Sequence, residues 1–80
     1  MNDLGDIYRD MHDKLLMIAT KILRGDSGSA EDAIQDAFVS VMSMDRSHIR
    51  NIQSYLTKTV INFARRHHSK QKKRQKIEQL

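Results

Sequence analysis

Apolar residues recur at three- and four-residue steps in the first part of the chain, which is the period of a helix with one buried face. The pattern predicts a first helix from about Leu4 to Leu23, with Asp3 or Asn2 as its N-cap. Two glycines and small polar residues in "RGDSGS" then predict a loop. The apolar face of this helix comprises Leu4, Ile7, Tyr8, Met11, Leu15, Ile18, Ile22 and Leu23.

A second helix is predicted to begin at Ser29, because Ser29 and Asp32 have the spacing of a capping box. The segment "SMDRSHIR" interrupts the apolar period after this helix. The predicted buried stripe of the second helix comprises Ala30, Ala33, Ile34, Ala37, Phe38, Val41 and Met42.

Asn51 is the predicted N-cap of a third helix. One face of this helix comprises Ile52, Leu56, Val60, Phe63 and His67, with Tyr55 and Ala64 beside them. Beyond Ser69 the apolar residues stop and "KQKKRQK" follows, which predicts a solvent-exposed, fraying helical extension.

Three helices with short connections and no proline predict an all-α fold, a small antiparallel bundle with a basic C-terminal helical extension. We divide the chain into a helical domain at 1–70 and the extension at 71–80. Eighty residues suffice for one small domain. The acidic N-terminus is unlike a secretory signal and no apolar run is long enough for a membrane span, so we expect a cytoplasmic protein.

Charge is divided unevenly along the chain. Residues 1–48 contain nine acidic and five basic residues, for a net charge of −4, whereas residues 49–80 contain one acidic and nine basic residues, for +8. A basic segment of this kind is attracted to polyanions such as nucleic acids. Cations also suit a helix C-terminus, so a solvated helix end explains the run equally well.

The sequence holds few residues suited to catalysis. It has no cysteine and no glycine-rich phosphate loop, and His67 and His68 are adjacent, so they point in different directions on a helix. We expect His67 at the edge of the core and His68 near solvent or a phosphate. The sequence therefore predicts a binding module that is not an enzyme, with no catalytic residue, metal site or cofactor.

The second helix has a polar face beside its apolar stripe. Asp32, Gln35, Asp36 and Val39 follow i, i+3, i+4, i+7 spacing. The carboxylates can accept paired arginine donors, Gln35 can donate and accept, and Val39 adds apolar contact. This face is suited to a protein partner, although a solvated face with a capping Asp32 is the simpler explanation from these residues alone.

The segment "AEDAIQDAFVSVM" resembles region 2 of sigma factors, in particular those of the extracytoplasmic-function type. The family's pattern there is roughly Ala-Glu-Asp, two hydrophobic residues, Gln, an acid, a hydrophobic residue and Phe. The residues that fit it here are Ala30, Glu31, Asp32, Gln35, Asp36 and Phe38. The segment "NIQSYLTKTVINFARR" resembles the family's aromatic-Leu pair followed by an Asn, and "IYRDMHDKLLMIATKIL" resembles its first helix. The resemblance covers about residues 4–70.

The resemblance implies that the second helix binds the coiled-coil clamp of the largest RNA polymerase subunit, through Asp32, Gln35, Asp36 and Val39. It implies that the third helix holds the melted strand of the promoter −10 element, since aromatic faces stack unpaired bases and basic residues contact phosphates. Tyr55 fits either stacking or the core, and the loop Met44–Arg50 occupies the place where the family captures a flipped base. The candidate DNA-binding residues are Tyr55, Lys58, Asn62, Arg65, Arg66, Lys70, Lys72 and Lys73.

Three positions depart from the family's pattern. Tyr55 stands where Trp is usual, Arg66 where Asp is usual, and His68 at an apolar position. The last two changes make the third helix more basic, which favours contact with the nucleic-acid backbone.

Whole sigma factors also carry a helix-turn-helix domain that reads the −35 element, and the sequence shows none. The chain is then either a piece of a longer factor or a natural half. Of these two we favour the natural half, a free-standing co-sigma subunit that acts in transcription initiation with a partner carrying the missing domain. Two alternatives are a helical protein that binds nucleic acid without sequence preference and a regulatory decoy that occupies the polymerase clamp site.

Overall fold

A computed structural model describes the backbone of residues 3–78 and the side chains of residues 3–72. Within this range the chain forms three helices, α1 (Leu4–Ile22), α2 (Ser27–Met42) and α3 (Ile52–Glu78). The 27 residues of α3 span about 40 Å, against about 29 Å for α1. The predicted all-α three-helix bundle is confirmed. No helix among residues 3–78 is long and apolar enough to cross a membrane.

Side-chain pairs between α1 and α2 define the first antiparallel contact. The rings of Tyr8 and Phe38 lie 4.4 Å apart, and His12 Nε2 donates to Glu31 Oε2 at 3.1 Å. The later residue of α1 therefore pairs with the earlier residue of α2, as antiparallel packing requires. A connection of only four residues, 23–26, imposes the same direction.

Hydrogen bonds between α2 and α3 repeat this arrangement. His67 Nε2 donates to Asp36 Oδ2 at 3.3 Å, and one turn further along α3 Gln71 Nε2 donates to Ser29 Oγ at 2.8 Å. Because α3 is antiparallel to α2, it runs parallel to α1. Gln71 also ties the part of α3 beyond Ser69 to the bundle, so the predicted helical extension is docked at its start.

The core lies where the three helices meet, and each helix contacts both others. Among residues 3–72, alanine provides five of the eleven buried residues of the core, which lets the helix backbones approach closely. Leu15, Ile34, Leu56, Val41 and Val60 are the largest fully buried side chains. The buried set comprises Leu15, Ala19, Leu23, Ala30, Ala33, Ile34, Ala37, Val41, Leu56, Val60 and Ala64.

Each helix begins at a side chain that accepts a hydrogen bond from the backbone three residues later. Asn51, the predicted cap of α3, accepts from Ser54, and Asp3, one of the two candidates for the cap of α1, accepts from Asp6.

The predicted start of α2 is wrong. Asp26, not Ser29, is the N-cap: its Oδ1 accepts from Ser29 N at 3.0 Å and its Oδ2 from Ser29 Oγ at 2.7 Å. Ser29 therefore lies inside the first turn, and the capping box with Asp32 does not form. A carboxylate has a second oxygen, which also accepts from Gln71 Nε2 at 2.9 Å, so Asp26 is the better cap. These bonds, first among them that from Ser29 N, lower the pKa of Asp26.

Three positions of the predicted apolar stripes differ. Met42 was predicted in the buried stripe but is 51% exposed. Tyr55, for which the sequence left both surface and core open, lies at the surface with 37% exposure. Ala19 and Leu16 of α1, absent from the prediction, are respectively buried and packed against the core. Periodicity identifies residues that share a face, but the width of the buried face depends on where neighbouring helices lie.

The contact between His12 and Glu31 makes stability depend on pH. The hydrogen bond to Glu31 is the largest cause that raises the pKa of His12 above its ordinary 6.5. The folded protein therefore holds a proton on His12 more tightly than the unfolded chain does, because protonated His12 is paired with Glu31 in the folded state. This stabilisation is fully present below about pH 6.5 and is lost as pH rises through the raised, folded-state pKa.

We therefore expect the free energy of unfolding to fall between about pH 6 and pH 8, and His12→Gln to flatten that fall. Urea unfolding at several pH values measures it. His48→Gln is the matched control, because His48 is exposed in the loop before α3. An unchanged pH dependence in His12→Gln would contradict the assignment.

Candidate functional site

The polar face predicted on α2 is exposed. Asp32, Gln35, Asp36 and Val39, together called the α2 ridge, are all exposed, and Val39 is 53% exposed despite its apolar side chain. Their spacing places them along the side of α2 away from Ala33 and Ala37 in the core. The ridge thus combines two carboxylates, an amide and an apolar contact on one accessible line.

Met42 extends the α2 ridge, although the sequence pattern predicted it in the buried stripe. It follows Val39 by three residues and Gln35 by seven, so it lies on the same side of the helix. Its 51% exposure places a flexible apolar side chain at the end of the ridge. By helical period, Met42 fits both the apolar stripe and the polar face of α2. The sequence alone could not decide to which of the two faces Met42 belongs.

Asp36 connects the ridge to α3. Its Oδ2 accepts from His67 Nε2 at 3.3 Å, and His67 is half-buried as predicted for a residue at the edge of the core. The bond restrains the Asp36 carboxylate while leaving it exposed to a partner. It also joins the acidic ridge of one helix to the basic helix beside it.

The basic residues of α3 fall on two adjacent stripes. Lys58, Arg65 and Lys72 repeat every seven residues on the side away from the core, and all three are exposed. Lys70 is also exposed, and the side chain of Lys73 lies outside the described residues.

The second stripe combines an aromatic, an amide and a guanidinium. Tyr55, Asn62 and Arg66 are exposed at i, i+7 and i+11 spacing, which places them on one side of α3. The Arg66 guanidinium carbon lies 5.3 Å from the centre of the Phe63 ring, a cation–π distance. Stacking and hydrogen-bonding groups thus follow the helix beside a line of positive charge, which suits single-stranded nucleic acid.

A metal centre is not among the site's features. Within the described residues, no three His, Asp or Glu side chains are grouped so that they could bind a metal ion.

The family model for sigma-70 region 2 matches residues 7–74, which is most of the chain and covers α2 and the greater part of α1 and α3. The chain belongs to the sigma-70 region 2 family. This family is a non-enzymatic domain of transcription initiation factors, and at the family level it binds RNA polymerase core and promoter −10 DNA. No curated protein and no solved structure matches the chain significantly.

In this sigma region 2 domain, two charged side chains of the loop between α2 and α3 already make hydrogen bonds within the protein. Arg46 Nη1 donates to the carbonyls of Val41 at 3.1 Å and Met42 at 2.8 Å, and so caps the C-terminus of α2. Asp45 Oδ1 accepts from Ser47 N at 3.0 Å, which lowers the pKa of Asp45. Both side chains are therefore engaged in shaping the loop.

The remaining polar side chains of this loop, Ser47, His48 and Arg50, are exposed. Ile49 is half-buried and lines a groove of about 300 Å³ together with Ile7 of α1 and Ile52 of α3. The fold thus presents three polar side chains from a loop that is fixed at both ends.

Proposed function

We propose that this domain binds the RNA polymerase core through the α2 ridge and the melted −10 strand through α3. The observation that carries the proposal is the separation of charge between two accessible surfaces of a sigma region 2 domain. The ridge is acidic and partly apolar, whereas α3 is basic along its outer side. An acidic surface repels DNA and attracts a basic protein surface, so the two faces suit different partners.

The chemistry of each surface supports this assignment. Asp32 and Asp36 can each accept two hydrogen bonds from an arginine, while Val39 and Met42 supply apolar area next to them. Such a combination fits the polymerase clamp coiled coil. On α3, Tyr55 can stack a base, Asn62 can hydrogen-bond to its edge, and the basic stripe can hold phosphates.

We further propose that this domain works with a separate protein that carries the −35-reading helix-turn-helix. The three helices of residues 3–78 all contribute to one core, so these residues form a single domain. A factor that reads two promoter elements gains from effective concentration, because binding of one element holds the other domain close. This domain would contribute core binding and −10 recognition, and its partner the upstream contact.

Asp36→Arg tests the ridge. We expect it to weaken binding to core polymerase by about 2 kcal/mol or more, roughly thirtyfold in Kd, because a reversed charge replaces an attraction by a repulsion. Affinity measured by fluorescence anisotropy with purified core detects the change.

Two controls accompany Asp36→Arg. Asp10→Arg makes the same charge change at an exposed position of α1 and should bind core like the wild type. Circular dichroism establishes that loss of the His67 contact leaves the helices folded. Equal affinity of the folded Asp36→Arg and Asp10→Arg variants would refute the ridge as the polymerase-binding surface.

Combined Arg65→Ala and Arg66→Ala substitutions test α3. If both side chains contact phosphates, the slope of log affinity against log salt for single-stranded DNA should decrease by about 1.4, at about 0.7 for each contact. Arg9→Ala with Lys21→Ala removes the same charge from exposed positions of α1 and should leave the slope nearly unchanged. The nucleic-acid role of α3 fails if the two double variants behave alike.

A run-off transcription assay tests the partner proposal. Core polymerase with this protein alone should give little promoter-specific transcript, and addition of a protein carrying the −35-reading domain should restore it. Each component is omitted in turn. Specific transcripts without any partner would show a self-sufficient factor, whereas polymerase binding without transcripts under every condition would favour a decoy.

A further inference from the structure

The turn between α1 and α2 places an arginine in a backbone conformation that favours glycine. Arg24 has φ 53° and is followed by Gly25 at φ 92°. Gly25 N donates to Thr20 O at 2.9 Å and Arg24 N to Lys21 O at 3.2 Å, the two bonds of a Schellman motif. Arg24 occupies the left-handed position of this motif, where a side chain costs conformational energy that glycine avoids.

The Arg24 side chain lines a groove of about 350 Å³ between the end of α1 and α3, called the turn groove. Its other lining residues are Leu23, His68, Gln71 and Lys72. His68 and Lys72 are four residues apart and so lie on the same side of α3. The described residues that line the groove thus include an arginine, a lysine and a histidine.

Two basic residues of the groove, Arg24 and Lys72, outnumber the one carboxylate that is hydrogen-bonded to a lining residue, that of Asp26. Gln71 donates to Asp26 Oδ2 and Ser29 Oγ, so its amide nitrogen is engaged. Asp26 is the nearest acid in sequence, but its carboxylate accepts from Ser29 and Gln71 and is not among the groove's lining residues. Among the described residues that line the groove, Arg24 and Lys72 supply two positive charges and none is an acid.

We propose that the turn groove binds a phosphate of the nucleic-acid backbone. Arginine presents paired donors that match phosphate, and lysine adds a point charge, so the groove's lining suits this group. Lys72 also ends the stripe of Lys58 and Arg65 on α3, and a strand that follows this stripe reaches the groove. A costly arginine where glycine would fold better is consistent with a binding role for its side chain.

This site lies beyond the contacts proposed for base recognition, because Arg24 comes from the α1–α2 turn and His68 lies on a different side of α3 from Tyr55 and Asn62. It would lengthen the path of the nucleic acid across the bundle. The inference rests on the proposed binding of nucleic acid by this domain.

Arg24→Gly separates the binding role from the structural one. It relieves the left-handed strain, so the melting temperature should rise by several degrees, while loss of the guanidinium should lower the salt slope for single-stranded DNA by about 0.7. Arg24→Lys retains the charge and should retain the slope. Arg9→Gln removes a charge from an exposed position of α1 and should leave both slope and melting temperature nearly unchanged.

Thermal melting and DNA affinity as a function of salt are measured on the same samples. A more stable Arg24→Gly protein with a reduced slope supports the proposal, whereas a slope equal to that of Arg9→Gln overturns it. The variant with both Arg65 and Arg66 replaced by alanine provides the reference for α3. If the salt slope falls in that variant but not in Arg24→Gly, phosphate binding by the turn groove is refuted, while DNA binding by α3 stands. If the wild-type protein binds no DNA, both proposals are overturned.

Discussion

Close packing of α2 against both other helices is the constraint on which the functional surfaces depend. Ala30, Ala33 and Ala37 present so little volume that α1 and α3 can approach the α2 backbone closely. A helix covered on one side by two neighbours has only its opposite side free. The residues on that side, Asp32, Gln35 and Val39, are therefore held on a rigid helix and exposed together, which suits recognition of a second protein.

Three polar contacts then set how the helices align along their lengths. His12 with Glu31 joins α1 to α2, Asp36 with His67 joins α2 to α3, and Gln71 reaches the cap of α2. Apolar packing tolerates small shifts along a helix axis, but a hydrogen bond requires its donor and acceptor to be within about 3.5 Å. These side chains thus make one alignment preferable. Asp36 belongs both to this set and to the proposed polymerase surface.

The fold determines which surfaces the acidic and basic residues occupy. In the sequence, residues 1–48 carry a net negative charge and residues 49–80 a net positive charge, and a basic segment of this kind is attracted to polyanions. In the bundle, the acidic residues of α2 and the basic residues of α3 become adjacent surfaces of a small domain, with the α2 ridge on one side and the outer side of α3 next to it. A domain with this layout can contact a basic protein surface and a nucleic-acid strand at the same time, as the family's role in transcription initiation requires.

Local pattern in the sequence determined much about this protein. Period and breakers predicted three helices, Asp3 and Asn51 were identified as caps, and the spacing of Asp32, Gln35, Asp36 and Val39 marked one face. Motif resemblance led to the sigma region 2 family. These predictions succeeded because each predicted feature depends on residues that lie within one or two helical turns of each other.

Tertiary structure decided the features that depend on distant residues. Asp26 is favoured over Ser29 as a cap partly because Gln71, far away in sequence, donates to it. Asp36 meets His67 only through the packing of α2 on α3, and Arg24 shares a groove with Lys72 only because α1 ends beside α3. Met42 fits two stripes by period, and only the position of neighbouring helices decides which is covered. Sequence spacing determines which side chains share a face, but the faces that meet depend on how whole helices pack.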